Sequence, residues 1–179
     1  APTLAAVGRL APQKQFDRLV AAFARCVAPE WRLRIFAEGA DRGKLERQIE
    51  AGNLVVRAEL AGVVTDIWDQ LARGDVFVLA SSHEGFPNAL LEAMALGLPC
   101  ISFACPCGPR EMTDEGRDAL LVEQDDWDGL TKALQRLMDD RTLRRQIGER
   151  AAASVRIRYA VPAVLAQWDA LFDAIRARR

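Results

Sequence analysis

Short apolar segments alternate with amphipathic helical segments through the first 122 residues, and this alternation limits the fold more than any other feature of the sequence. It is typical of β-α-β units, in which parallel strands are covered by helices on both faces. It predicts an α/β fold with a doubly wound, Rossmann-like parallel sheet of about six strands. The predicted strands are residues 3–7, 31–37, 54–60, 76–79, 99–103 and 119–122, and the helices between them are residues 16–27, 42–51, 66–73 and 88–96.

A mostly helical extension is predicted for residues 126–179, with helices at 127–138, 142–154 and 161–178. The last of these has apolar residues at helical spacing, so we expect it to dock one face onto something. Its arginine-rich end is expected to be solvated, with no more than a peripheral contact to a membrane. The 179 residues are expected to form one domain, residues 1–179. Because the sequence opens on a strand that should be central in the sheet, we expect this domain to come from a longer protein.

Composition argues against several classes of protein. A formal net charge of -1 is not that of a general nucleic-acid binder. No segment has the length of a membrane span or the pattern of a signal peptide, which predicts a cytoplasmic protein. Cys26, Cys100, Cys105 and Cys107 do not form a disulfide pattern, so free thiols are expected. Cys105 and Cys107 also lack the usual spacing of structural zinc ligands, so no metal site is predicted.

Residues 81–99 place two carboxylates, Glu84 and Glu92, where charge should be excluded. The helix predicted from residue 87 onward has apolar side chains on every side, a pattern typical of a helix buried all round, and Glu92 is its only ionisable side chain. Burial of an unpaired carboxylate is costly. Glu92 is therefore expected either to contact a ligand or to pair with an arginine inside the fold.

Ligands of open parallel sheets bind outside the carboxyl ends of the strands, so the loops that follow strands are the candidate binding loops. The first such loop carries Arg9 and Lys14, and Lys14 stands just before a predicted helix. Two cations beside free backbone N–H groups suit a phosphate or a diphosphate. The competing interpretation is that both are solvated surface charges.

Neither G-x-G-x-x-G after a strand nor G-x-x-x-x-G-K-[ST] occurs, which argues against dinucleotide oxidoreductases and P-loop ATPases.

The loop after the fourth strand joins an anion-binding feature to carboxylates. Gly85 lets the backbone approach a ligand, Pro87 stands where no N–H is needed, and Asn88 is expected to cap the helix. Glu84 and Glu92 would repel a diphosphate, so their expected role is to accept hydrogen bonds from hydroxyl groups. Carboxylates beside a phosphate site therefore indicate a ligand that contains sugar, with a ribose on one side of the phosphates and a pyranose on the other.

Taken together, these motifs resemble the C-terminal, donor-binding domain of a retaining GT-B glycosyltransferase of family 4 (group 1). The resemblance covers nearly the whole chain. It rests on VGRL with the following lysine, FAEG, LAGVVTD, EGFPNALLE with AMALGLP, CPCGPRE and DALLVEQDD, in that order. Two positions depart from the family pattern: Gln15 stands where a glycine commonly follows the lysine, and Ala104 stands where an aspartate is frequent.

The resemblance implies a role for each matching residue. Arg9 and Lys14 would hold the diphosphate of a nucleotide-sugar, Glu84 would contact the donor sugar, Glu92 would bind the ribose, and the loops at Gly39 and Val63 would flank the base. The expected catalytic residues are Arg9, Lys14 and Glu84. The expected donor-binding residues are Gly8, Arg9, Lys14, Gly39, Val63, Glu84, Gly85, Phe86, Pro87, Asn88, Ala89, Leu90 and Glu92.

The implied function is transfer of a sugar, with retention of configuration, from a nucleotide-sugar to a glycan or lipid-linked acceptor in bacterial surface polysaccharide biosynthesis. UDP-sugar is the expected donor, and no cofactor or metal is expected. The expected location is the cytoplasm, at the inner face of the membrane for a full-length protein. The family's N-terminal acceptor-binding domain is the missing partner, so the isolated chain is expected to bind donor weakly and transfer little. A non-catalytic nucleotide-sugar-binding module and a related sugar-nucleotide epimerase or phosphorylase are the alternatives.

Overall fold

The computed structural model describes residues 1–177 and contains a six-stranded parallel sheet in the order β3-β2-β1-β4-β5-β6. The predicted α/β fold class is confirmed. The first strand is central, because it pairs with β2 on one side and with β4 on the other. The strands are β1 Thr3–Arg9, β2 Arg32–Glu38, β3 Ala58–Leu60, β4 Val76–Leu79, β5 Cys100–Phe103 and β6 Leu120–Val122.

Helices cover both faces of the sheet and form two separate hydrophobic clusters. Alternate residues of a strand enter opposite clusters: Val78 contributes to the cluster with α1, α2 and α6, whereas Phe77 contributes to the cluster with α3, α4 and α7. Strands buried on both faces explain the continuous apolar runs in the sequence. The helices are α1 Phe16–Ala24, α2 Arg42–Ala51, α3 Ile67–Ala72, α4 Asn88–Ala95, α5 Pro109–Met112, α6 Trp127–Asp139, α7 Arg141–Arg158 and α8 Val161–Arg176.

The strand predicted for residues 54–60 is shorter than expected. Its first half is a turn that follows α2, in which the N–H groups of Arg57 and Ala58 both donate to the Leu54 carbonyl at 2.7 Å. Val55 and Val56 are exposed, although their β-branched side chains favour a strand. Local hydrogen bonding at the end of the helix therefore overrides the propensity of these residues.

Helix α4 is not buried all round, which corrects the expectation for residues 88–96. Leu90, Ala93 and Met94 are buried, whereas Asn88 and Ala95 are exposed. The helix ends against α7 at a contact between two glycines, because a Cβ on Gly148 would clash with the carbonyl oxygen of Gly97. Absence of a side chain at Gly148 thus lets α7 approach the C-terminal end of α4 at backbone distance.

The apolar face of helix α8 is not covered by any part of residues 1–177, so its predicted docking partner does not lie within the described chain. None of its side chains is buried, and Leu165, Trp168 and Phe172 are each about half exposed. The arginines at 178 and 179 lie outside the described residues. In the described part of the chain, no helix combines the length and the apolarity needed to cross a membrane.

Candidate functional site

The loops that follow β1 and β4 meet at the carboxyl edge of the sheet, where the chain order reverses between the two halves. In doubly wound folds this point is where ligands bind. Four hydrogen bonds join the loops. The N–H and the hydroxyl of Ser82 both donate to the Gln13 carbonyl (2.9 and 3.3 Å). The Gln13 side-chain amide donates to the His83 carbonyl (2.7 Å), and Lys14 Nζ donates to Glu84 Oε1 (2.6 Å).

The Lys14–Glu84 ion pair is largely withdrawn from solvent, with side-chain exposures of 18% and 10%. Lys14 also lies along the backbone of Gly8, since a Cβ built on Gly8 would stand 3.0 Å from Lys14 Cε. Two of the three predicted catalytic side chains are therefore in direct contact, and the predicted Gly8 supports them.

Gln15 explains why a glycine commonly follows the lysine in this motif. Pro12–Lys14 form a 3₁₀ turn, and Gln15 then adopts a left-handed conformation (φ 50°, ψ 35°) before α1 begins at Phe16. That region favours glycine, because a Cβ is strained there. The Gln15 side-chain oxygen is buried, and no residue within 1–177 donates a hydrogen bond to it.

An open pocket of about 370 Å³ lies between the ends of β1 and β2 and the loop after β3. Arg9 lies at this pocket, is exposed, and has no acidic partner among residues 1–177. The predicted Val63 lines the pocket as well. The predicted Gly39 does not line it but directly follows Glu38, which does. A side chain at Gly39 would clash with the Leu10 carbonyl. The pocket is lined by Val7, Gly8, Arg9, Phe36, Ala37, Glu38, Gly62, Val63, Val64 and Ile67.

Glu38 forms a charged edge of this pocket together with Arg42. Arg42 donates to both oxygens of the Glu38 carboxylate and also to Glu46. These charge-assisted hydrogen bonds hold the pKa of Glu38 below its usual range and raise the pKa of Arg42. Because Glu38 is paired with Arg42, Arg9 in the pocket lining has no acidic partner in the described chain.

The loop after β4 leads into α4 with several free backbone donors. Pro87, not Asn88, is the N-cap residue, and no side chain caps the helix, which corrects the predicted role of Asn88. In the described chain the N–H groups of Gly85, Phe86 and Ala89 donate to no protein acceptor, whereas that of Leu90 donates to the Pro87 carbonyl. The helix N-terminus is thus open to an anion.

Gly85 lies in open space, because a Cβ built on it would meet no atom within 4 Å. On the other side of the loop, Gly108 from the segment after β5 contacts Pro87, and a Cβ there would lie 2.5 Å from Pro87 Cδ. The loop therefore packs against Gly108 on one side and is open at Gly85 on the other, where a ligand could approach.

Glu92 lies on the open side of α4, one turn from the exposed Asn88, and is half-buried. Among residues 1–177 it makes no ion pair with an arginine, so the internal pairing considered from the sequence is not formed. No hydrogen bond or ion pair within residues 1–177 joins Glu92 to Lys14 or Glu84.

Sequence reasoning missed Gln13, which links the two loops, and the apolar wall of the pocket, Phe36 and Ile67. The position of Gln13 next to Lys14 in a loop after a strand was a usable signal. Phe36 and Ile67 gave no signal, because an apolar pocket wall has the same composition as a core.

The four cysteines are free thiols, and Cys107 is the exposed one. Burial, with a further contribution from the nearby charge of Glu84, raises the pKa of Cys105 to about 11. Within residues 1–177, no three side chains of the His, Cys, Asp or Glu types form a group that could hold a metal ion.

This strand order, with binding loops at the carboxyl edge, defines a doubly wound nucleotide-binding type of α/β domain. Comparison with known proteins identifies the family within that class. The family model described as glycosyl transferases group 1 matches residues 1–154. The chain belongs to this family, and its fold is that of a GT-B glycosyltransferase domain.

Curated relatives are longer than this chain. It is 37% identical over 174 residues to exopolysaccharide phosphotransferase SCO2592 of Streptomyces coelicolor, covering 96% of this chain and 18% of that protein. It is 33% identical over 150 residues to the lipopolysaccharide core biosynthesis glycosyltransferase LpsE of Rhizobium meliloti, covering 84% of this chain and 43% of that protein. The chain thus spans less than half of each.

Solved structures share the fold. A TarM variant of S. aureus, in complex with fondaparinux, α-GlcNAc-glycerol and UDP, superposes with a TM-score of 0.88 at 23% identity, covering 95% of this chain and 35% of that one. The C-terminal domain of the group 1 glycosyl transferase LpcC from Francisella tularensis superposes with a TM-score of 0.82 at 24% identity, covering 89% of this chain and 87% of that one.

Proposed function

We propose that this chain is the donor-binding domain of a glycosyltransferase that moves a sugar from a nucleotide-sugar to a glycan or lipid-linked acceptor, with retention of configuration. The observation that carries the proposal is the junction at the sheet edge. There the Lys14–Glu84 pair lies beside Gly8, and Gly8 also lines the pocket that contains Arg9, which has no acidic partner within residues 1–177.

Each part of a nucleotide-sugar has a chemically suitable neighbour at this edge. The pocket of about 370 Å³ between Phe36 and Ile67 suits a flat, largely apolar base. Arg9 and Lys14 are cations that can bind a diphosphate and stabilise the negative charge that develops on it as the sugar departs. Glu84 accepts hydrogen bonds from sugar hydroxyls, and Glu92 accepts them from the ribose.

The open amides at the start of α4 support the same placement. The free N–H groups of Gly85, Phe86 and Ala89 can donate to a phosphate or to a sugar oxygen. These cations and amides carry out the charge stabilisation that other enzymes assign to a metal ion, so the proposed transfer needs no metal or other cofactor. We propose UDP as the nucleotide, in keeping with the UDP bound to TarM.

A second domain is needed to complete the proposed enzyme. The match covers only 18% and 43% of the two relatives, and the acceptor would bind in the N-terminal part of such a protein. The exposed apolar face of α8, with Trp168 and Phe172, and the exposed Phe86 beside the site are surfaces that such a domain could cover. The isolated chain would bind donor weakly and transfer little, and the full-length protein would work in the cytoplasm at the membrane face.

Calorimetry with UDP, GDP and ADP and their common sugar conjugates tests the proposal. Glu92→Ala should weaken binding of the preferred nucleotide about tenfold or more, because a hydrogen bond to a charged group is lost. Gly85→Val should weaken it by a similar factor without destabilising the protein, since nothing in the protein lies within 4 Å of the new Cβ. Glu50→Ala, on the exposed surface of α2, is the matched control.

Two outcomes would contradict the proposal. One is that the wild-type chain binds none of these nucleotides at millimolar concentration. The other is that Glu92→Ala and Gly85→Val bind as tightly as Glu50→Ala. Thermal unfolding of every variant confirms that a loss of binding is not a loss of folding.

A further inference from the structure

The Lys14–Glu84 ion pair removes from the site the cation that a diphosphate most needs. Lys14 Nζ and Glu84 Oε1 are 2.6 Å apart, and each charge is largely shielded from water. In the described chain neither residue has a second ionic partner. Contact with Gly8 fixes the methylene groups of Lys14 along the backbone. The ligand-free site therefore presents Arg9 as its available cation.

A diphosphate that arrives without a sugar meets a penalty from this pair. If the phosphate takes Lys14 away, Glu84 is left as a poorly solvated carboxylate without a partner, which is strongly unfavourable. If Lys14 keeps Glu84 and turns another N–H toward the phosphate, two anions stand close together and repel each other. A free nucleoside diphosphate offers no hydroxyl group next to its terminal phosphate that could satisfy Glu84.

An intact nucleotide-sugar replaces both partners at once. Its diphosphate accepts from Lys14, and hydroxyls of the attached sugar donate to Glu84, so neither buried charge is left unpaired. We infer that the Lys14–Glu84 ion pair makes the site discriminate in favour of the intact nucleotide-sugar and against the free nucleoside diphosphate. This inference rests on the proposed function, and it deepens that function by naming how donor and product are told apart.

The same pair assists product release. Once the sugar has left, Glu84 has lost its hydroxyl donors, and Lys14 is again the closest group that can neutralise it. Re-formation of the pair then competes with the nucleoside diphosphate for Lys14 and weakens the hold of the site on that product.

The test measures the affinities of wild type and Glu84→Gln for two probes. The first probe is whichever of UDP, GDP and ADP wild type binds most tightly. The second probe is the glucose conjugate of that nucleoside diphosphate. Glutamine keeps the shape of the side chain and removes the charge, so Glu84→Gln should bind the free nucleoside diphosphate about tenfold more tightly than wild type. The preference for the conjugate should fall by at least the same factor.

Two controls separate charge from shape and from position. Glu84→Asp keeps the charge with a shorter reach and should bind the free nucleoside diphosphate no more tightly than wild type. Glu59→Gln removes the acid of a more exposed pair, Arg34–Glu59, toward the amino ends of the strands, and should leave both affinities unchanged. Thermal unfolding shows whether each variant is folded.

The inference is overturned, with the proposed function intact, if wild type binds a nucleoside diphosphate and the folded Glu84→Gln variant binds it no more tightly. If neither wild type nor Glu84→Gln binds any of the nucleotides, the proposed function itself fails and takes the inference with it. Tighter binding in Glu84→Gln and in Glu84→Asp alike would also count against the inference, because charge would not be the cause.

Discussion

Two pockets of nearly equal volume lie at opposite ends of strands β1, β2 and β3, about 370 Å³ at the carboxyl ends and about 390 Å³ at the amino ends. Every cation in the lining of the amino-end pocket is occupied by a protein acceptor. Arg34 donates to Glu59 and Gln70, Arg32 donates to the Pro29 carbonyl, and Arg57 donates to the Ala28 carbonyl.

The carboxyl-end pocket differs in chemistry and not in size. Arg9 has no partner in the described chain, and Gly8 and Gly62 in the pocket lining leave room for the side chains of Lys14 and Glu38. No glycine lines the amino-end pocket. A cation with no acceptor in the described chain therefore marks the binding end of this sheet, whereas volume alone would not tell the two ends apart.

The largest expected effect is on nucleotide binding, and it comes from comparing two double variants, each of which removes two cations from one end of the sheet. Arg9→Ala combined with Lys14→Ala should weaken nucleotide binding by about a hundredfold or more, since each charge-assisted hydrogen bond contributes roughly 1.5–3 kcal/mol. Arg32→Ala combined with Arg57→Ala should lower the free energy of unfolding and leave binding unchanged. Calorimetry and urea unfolding of both double variants check this, and equal losses of binding would mean that the two ends are not different.

An intermediate effect is expected from backbone strain in the carboxyl-end loop. Gln15→Gly should raise the free energy of unfolding by about 1 kcal/mol, because glycine adopts the left-handed conformation without strain and because a buried amide oxygen with no donor among residues 1–177 is removed. Gln13→Gly, two residues earlier and without a positive φ, should instead be destabilising, as it loses the hydrogen bond to His83. Urea unfolding midpoints decide the matter, and a destabilised Gln15→Gly variant would refute the strain argument.

The smallest effect concerns the edge of the carboxyl-end pocket. Because the hydrogen bond from Arg42 lowers the pKa of Glu38 in the folded state, the ionised pair stabilises the fold above the ordinary carboxyl pKa of about 4.3. That stabilisation disappears as the pH falls through the lowered pKa. Wild type should therefore lose more stability between pH 6 and about pH 3 than Glu38→Gln does, as measured by urea unfolding at each pH. Parallel pH profiles would show that the pair has no such effect.

The sequence was a good guide where one local pattern has one structural meaning. Alternating apolar and amphipathic segments predicted the parallel sheet, and the cations after β1 and the acidic loop after β4 indicated two loops that the structure joins through Lys14 and Glu84. Prediction failed where the outcome depends on distant neighbours. The exposed side of α4 follows from what packs against that helix, which helical periodicity does not specify.

The glycine pair between α4 and α7 has a consequence for how this protein tolerates change. Gly148 is far along the chain from Glu92, yet any side chain there would push against the carbonyl of Gly97 and so against the helix that carries Glu92. A random screen for inactive variants should therefore recover Gly148 together with the residues of the cleft. A position that touches no ligand would then behave genetically like one that does.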